Sequence, residues 1–237
     1  LSRNLGYAAG CNAGVRATHG SAVLLLNPDV DLATPAIGRL WRTLHISPHI
    51  GLCAPLLLNA DGSLQSWGYR FPGVRNVLLD FFPVHPRIVA STFNGRVEYG
   101  DGELPIAIDY PLGAAMMVRR EAAEQAGLLD ESYGMYSEEI DFAQRLAQQG
   151  WTRVLDPEAH VKHYGGEDTQ QMADNLHLAL GLSRASYHRK WSPYWRRCLV
   201  WLAVETGTRW EDRRNSADRR AANARIRRAF RKLLRRQ

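Results

Sequence analysis

Three short stretches carry residues whose types and spacing could do chemistry. In SAVLLLNPDVDL, Asp29 and Asp31 follow directly on the apolar run Val23 to Leu26. Residues two apart in extended backbone point to the same side, so both carboxylates can face one cation, with Pro28 restricting the approach. Hard oxygen ligands with few other protein partners suit Mg²⁺ or Mn²⁺ bound together with a substrate's phosphates. The same NPDVD segment reads equally as a polar turn in which Asn27 and Asp29 cap the chain. In GMYSEEIDFAQRL, Ser137 is expected to cap a helix, placing Glu138 and Glu139 in its first turn. The helix dipole is a sufficient structural reason for both, and it lowers their pKa. The same position would also hold a general base at the rim of a cleft. In HVKHYGG, His163 follows a strand and precedes two glycines, as a metal ligand or as an ordinary surface or core histidine.

The surrounding sequence sets these stretches on an alternating framework. Val23 to Leu26 read as a strand covered on both faces, and TPAIGRLWRTL as a helix with Thr34 at its N-cap and Pro35 at its first position. IGLCAPLLLNADGSLQS is a second extended segment ending in an Asp-Gly turn. Residues about 70 to 105, rich in proline and glycine, read as irregular. Another strand is expected in IDYPLGAAMMVRR, helices stopped by Gly127 and Gly150, and a strand in WTRVLDP; from Asp168 onward the pattern is helical. Strands alternating with helices predict an α/β layered domain, which places ligands beyond the carboxyl ends of its strands. Asp29 and Asp31 stand at such an end.

Composition sets the wider bounds. The 237 residues, 45% of them hydrophobic, suffice for one sizeable core plus a tail. No apolar run approaches the roughly 18 to 20 residues of a membrane-spanning helix, and the start of the chain has no signal-peptide pattern. Three separated cysteines, Cys11, Cys53 and Cys198, argue against a disulfide framework or a zinc site and for a reducing, cytoplasmic compartment. The net charge is +6. Residues 209–237 hold twelve Lys or Arg against three acids, a net of +9, so the remainder carries 6 − 9 = −3. A mildly acidic globular part without interleaved aromatic and basic residues argues against nucleic acid as a partner.

The segments NLGYAAGCNAG, LLLNPDVD, DGSLQSWG, IDYPLGAAMMVRR, GLLDESYGMYSEEIDFAQRLAQQGW and HVKHYGG occur in an order that resembles family 2 glycosyltransferases. The similarity is strongest to the rhamnosyltransferase-like branch that builds bacterial surface polysaccharides, and it runs from about residue 4 to 166. It implies a GT-A-type nucleotide-sugar-binding domain with a mixed sheet over residues 1–167, helices over 168–208 packing on the domain, and a basic tail over 209–237. It implies an inverting transfer of a sugar from a nucleotide-diphosphate donor to a glycan or lipid-linked glycan. By the resemblance Asp29 and Asp31 hold Mn²⁺ or Mg²⁺, with His163 completing the metal site. Asn4, Gly6 and Asn12, with Asp29, lie on the donor side, and Gly113 and Ala114 face the donor and acceptor sugars. The general base falls to Glu139, where the family usually has aspartate, with Glu138 and Asp141 as alternatives. The resemblance also implies that opening strands carrying the base-binding segment precede Leu1.

Two other classes fit parts of the same pattern: a metal-dependent nucleotidyltransferase, and a non-catalytic module that binds membrane through its tail. In the tail, Ala222, Ile226, Ala229, Phe230 and Leu233 recur at spacings of three and four, flanked by arginines. Such a helix packs its stripe on the domain, or lies in the surface of an anionic leaflet. The second reading predicts a peripheral protein at the inner face of the cytoplasmic membrane.

Overall fold

The computed structural model describes residues 5–32, 34–66, 68–82, 85–89, 91–97, 104–165 and 173–235. The chain divides into two compact units, one formed by Leu1–Phe71, Arg96–Ser132 and Glu138–Glu167, the other by Pro72–Gly95, Tyr133–Ser137 and Asp168–Gln237.

The first unit is built on a mixed sheet. Helix α1 (Tyr7–Ala17) leads into β1 (Ala22–Leu26) and β2 (Val30–Asp31), followed by α2 (Thr34–Leu44), β3 (Ile50–Leu58), β4 (Leu64–Ser66) and β5 (Gly68–Tyr69). Strands β6 (Ile106–Ala107), β7 (Tyr110–Pro111) and β8 (Ala115–Arg119) come next, then α5 (Arg120–Ala126), α6 (Glu138–Gln148) and β9 (Thr152–His163). Strands run in the order β1-β8-β3-β9-β2, with β4 on β3 and β6 on β9, while β5 and β7 form a separate ribbon. Among the described residues only β3 and β9 pair in parallel; β1 pairs antiparallel with β8, and β2 antiparallel with β9.

The central strand β3 is apolar and almost wholly buried, as a strand covered on both faces must be. On one side Leu25, Leu52, Met116, Val118, Phe142, Leu146 and Leu155 join in a core with Ala8 and Val15 of α1. On the other, Leu40 and Leu44 of α2 meet Cys53, Met117 and Val154. Strand β9 runs six residues past the expected WTRVLDP, its pairing with β3 jumping from Asp156 to His160. That irregularity lets the strand continue to His163.

The second unit is helical. The stretch expected to be irregular contains α3 (Val74–Phe81), a short α4 (Pro86–Val89) and a 3₁₀ turn (Thr92–Asn94). Flanking prolines masked α3, but Asn76 at its third position accepts from the Gly73 amide, and Val77 and Phe81 bury one face. Helices α7 (Ala173–Trp191), α8 (Tyr194–Glu211) and α9 (Ala217–Arg231) complete the unit.

The apolar stripe of the basic tail is the inner face of α9. Ile226 and Phe230 are 0% exposed and Leu233 1%, packed with Val77, Phe81, Ala185, Val200 and Val204. A stripe sealed in this core cannot lie in a leaflet, so the tail is part of the helical unit and the membrane-anchor reading of that stripe is set aside. No helix among the described residues is long and apolar enough to cross a membrane.

Candidate active site

The loop between β1 and β2 carries Asp29, and the antiparallel pairing of β2 with β9 sets Val30 opposite His163 and Asp31 opposite Lys162. Tyr164 donates its amide to the Asp29 carbonyl at 2.9 Å, fixing the loop against the strand end. His163 Nε2 then stands 3.3 Å from Asp29 Oδ2, with the imidazole only 13% exposed. Gly165 is the floor beneath both: a Cβ there would come within 2.5 Å of His163 Cε1 and 3.1 Å of Asp29 Oδ2.

Gln65 decides the chemistry of the imidazole. Its Nε2 donates to the His163 carbonyl at 3.0 Å, so its Oε1 accepts from Nδ1 at 2.7 Å. A carbonyl oxygen can only accept, so Nδ1 carries a proton, and in the neutral imidazole the lone pair is on Nε2, facing the Asp29 carboxylate. With that tautomer two acceptor atoms face each other at 3.3 Å, a contact that either a proton or a metal cation between them makes attractive. The separation is close to the roughly 3 Å expected of neighbouring ligands around a small cation with bonds of about 2.1 Å. The donor set therefore fits a divalent cation. Among the described residues no three of His, Cys, Asp and Glu are grouped to hold a metal. Of the expected trio only Asp29 and His163 meet; Asp31 stands exposed on β2 outside such a group.

A second cluster forms around the turn Gly113 to Ala114. The amide of Asn27, at the start of the Asp29 loop, donates to the Ala114 carbonyl at 2.9 Å. The Tyr7 hydroxyl donates to the Gly113 carbonyl at 3.0 Å. Gly113 lies against Glu139 so closely that a Cβ would sit 3.3 Å from that side chain's Cβ. Glu138 and Glu139 are 7% and 8% exposed, and Glu138 Oε2 has no hydrogen-bond partner. Burial pushes the Glu138 carboxyl above its ordinary 4.5. Burial likewise raises the Tyr7 hydroxyl, as do Cys11 and both glutamates. The pocket is thus desolvated, and the raised Glu138 carboxyl is opposite to the lowered pKa expected from the helix dipole alone.

Because the folded chain holds Glu138 above 4.5, ionising it opposes folding. That cost is absent below pH 4.5 and grows as the pH rises through the folded value. Glu138→Gln is therefore expected to raise the melting temperature at pH 7, with the gain shrinking toward pH 4. An equal gain at both pH values in thermal denaturation would contradict the assignment.

Other expected residues fall elsewhere. Asn12 is 2% exposed and its amide is used inside the fold: it donates to the Leu129 carbonyl and to Glu131 and accepts from the Leu129 amide. It locks α1 to the 129–131 loop. Gly6 precedes α1 with φ of 92°, a conformation that disfavours side chains. Asp141 is 0% exposed and paired with Arg145 at 2.8 Å, which removes it from the candidate bases. Ser137 does not cap α6: its φ is 67° and its buried hydroxyl has no partner, whereas a capping residue has extended backbone. Asn4 lies outside the described residues. Gln65 and Tyr7 were not singled out from the sequence, although Gln65 sits in the DGSLQSWG motif. Its signal was the Asp-Gly turn, which sends β4 back along β3 toward the end of β9.

No family model matches the chain. An N-acetylglucosaminyl-diphospho-decaprenol L-rhamnosyltransferase of Mycobacterium tuberculosis is 32% identical over 188 residues, 76% of this chain and 59% of that protein. A low-salt glycan biosynthesis hexosyltransferase, Agl10 of Haloferax volcanii, is 29% identical over 161 residues, 65% of this chain and 48% of that protein. The chain thus spans about half to three-fifths of these curated relatives. The crystal structure of GalNAc-T7 with UDP, GalNAc and Mn²⁺ superposes with a TM-score of 0.56 at 13% identity, covering 98% of this chain and 44% of that one. With its mixed sheet and the carboxylate loop at the end of β1, the chain has the GT-A fold.

Proposed function

We propose that this chain supplies the donor site and general base of an inverting glycosyltransferase, which moves a sugar from a nucleotide diphosphate to a hydroxyl of a lipid-linked glycan. One observation carries the reading. The Asp29 loop and the α6 carboxylates converge on the same turn, through the Asn27 to Ala114 hydrogen bond and the packing of Gly113 on Glu139. A phosphate-binding corner and a buried base on one small-residue turn are what a single displacement requires.

Asp29 Oδ2 and His163 Nε2 would hold Mn²⁺ or Mg²⁺, with Asp31 on the same edge toward the donor. A cation bound there supplies positive charge against the departing diphosphate. Gln65 keeps the His163 lone pair on Nε2. Glu139 takes the proton from the acceptor hydroxyl as its oxygen attacks the anomeric carbon, and the absence of side chains at Gly113 lets the acceptor approach. Glu138 beside it shares the buried pocket, where its carboxyl and that of Glu139 oppose ionisation of Tyr7. The mycobacterial relative's name supports a rhamnosyl donor and a polyprenyl-diphosphate-linked acceptor.

The experiment is a panel of nucleotide sugars, dTDP-rhamnose included, incubated with the protein, a prenyl-diphosphate-linked amino sugar and Mn²⁺. Nucleoside diphosphate release supports glycosyl transfer, whereas pyrophosphate release would assign a nucleotidyltransferase. Gln65→Leu is expected to weaken Mn²⁺ affinity by about 10- to 100-fold, because nothing then holds the Nδ1 proton. Unchanged affinity by electron paramagnetic resonance titration would remove Gln65 from the site.

A further inference from the structure

Helix α8 has two faces of different character. Val200, Ala203, Val204 and Thr208 are buried in the helical unit. On the opposite face Trp195, Leu199 and Leu202 are 59%, 45% and 50% exposed. These positions recur at four and three residues, so they form one stripe about 10 Å long. The periodicity continues through Thr206, whose hydroxyl is satisfied by the Leu202 carbonyl, to Arg209. There the helix opens on a cavity of about 580 Å³ lined by Arg209, Arg213, Arg227, Arg228, Arg231 and Asp212.

The charges around this cavity are unequal. Glu205 pairs with Arg209 and Arg231, and Asp212 with Arg227. Among the described residues Arg213 and Arg228 have no acidic partner, and both are exposed. Five guanidiniums against Glu205 and Asp212 leave a net of 5 − 2 = +3 at one end of an apolar stripe.

We infer that this face of α8 docks on an anionic lipid surface, with Trp195, Leu199 and Leu202 entering the headgroup boundary and the arginine cavity taking lipid phosphates. A free phosphate would fill the cavity but would leave the stripe in water, whereas a bilayer surface offers anionic oxygens beside apolar chains. Tryptophan suits that boundary because its ring is apolar and its N–H is polar, and arginine stems pack on apolar surface while their heads reach phosphate. The inference uses none of the residues assigned to glycosyl transfer and replaces the buried α9 stripe as the source of membrane contact.

The test is co-sedimentation of the whole protein with phosphatidylcholine vesicles with and without phosphatidylglycerol. Binding is expected with the anionic lipid, to be lost in high salt, and to be weak on phosphatidylcholine alone. Leu199→Ser with Leu202→Ser, and separately Arg213→Gln with Arg228→Gln, should each weaken it by about tenfold or more. All four side chains are exposed, so the melting temperature should hold, and circular dichroism checks it. In the unaltered protein, brominated lipid should quench fluorescence that is absent from Trp195→Phe. Equal binding to both vesicle types, or affinity unchanged in either double variant, would overturn the inference. Self-association lost in the leucine variant, without vesicle binding, would also overturn it and assign the face to a second copy of the chain.

Discussion

Glu139→Gln is expected to lower turnover by about 10²- to 10⁴-fold while leaving donor affinity within about twofold of the parent. The substitution keeps the length of the side chain and its packing on Gly113, and removes only the basic lone pair. Donor affinity should survive because the Asp29 and His163 pair lies on a different element, at the ends of β1 and β9. Glu138→Gln should cost turnover less, since that change alters the charge of the pocket and not the atom that takes the proton. Single-turnover kinetics with a saturating donor separates the two. A large loss confined to Glu138→Gln would move the base to that residue, whose unpartnered and desolvated carboxylate is the alternative with a physical case.

Phe230→Ala is expected to destabilise the protein by about 3 to 5 kcal/mol. The ring is fully buried where α3, α7, α8 and α9 meet, and its removal leaves a cavity among Val77, Phe81, Val200 and Val204. Urea denaturation with an unchanged slope would show a loss of stability rather than of compactness. A change below about 0.5 kcal/mol, the range of surface substitutions, would return α9 to the solvent and reopen its reading as a separate tail.

The strands and helices of the first unit were legible because their signals are local. An apolar run ending in NPDVD marks β1, and Gly127 and Gly150 mark helix ends through their positive φ. Helix α3 was hidden by the prolines on either side, although its Val77 and Phe81 spacing is that of a buried helical face. For α9 the stripe itself was readable, but its destination was not, since spacing alone does not say whether protein or lipid covers an apolar face.

The site shows the same division. Asp29 and His163 are far apart in sequence, and the ordered motifs that resemble a known family placed them together before any geometry, whereas the packing of Gly113 on Glu139 emerged only from the fold. The structural bonds of Asn12 were not legible, because a buried amide that bridges Leu129 and Glu131 has the same letter as one that meets a ligand. Gln65 was invisible as a partner because its role comes from the register of β4 on β3 and of β3 on β9. Glu138 and Glu139 looked like residues favoured by a helix dipole, and only their burial shows a desolvated pair.

The central claim is that Asp29 and His163 bind a divalent cation together with a donor diphosphate. Isothermal titration of the protein with a nucleoside diphosphate, with and without Mn²⁺, tests it most directly, alongside Asp29→Asn and His163→Ala. The account predicts Mn²⁺-dependent binding that falls by tenfold or more, about 1.4 kcal/mol, in Asp29→Asn, with a smaller loss in His163→Ala, where water can take the ligand's place. Binding that is equally tight without Mn²⁺, or unchanged in Asp29→Asn, would contradict it.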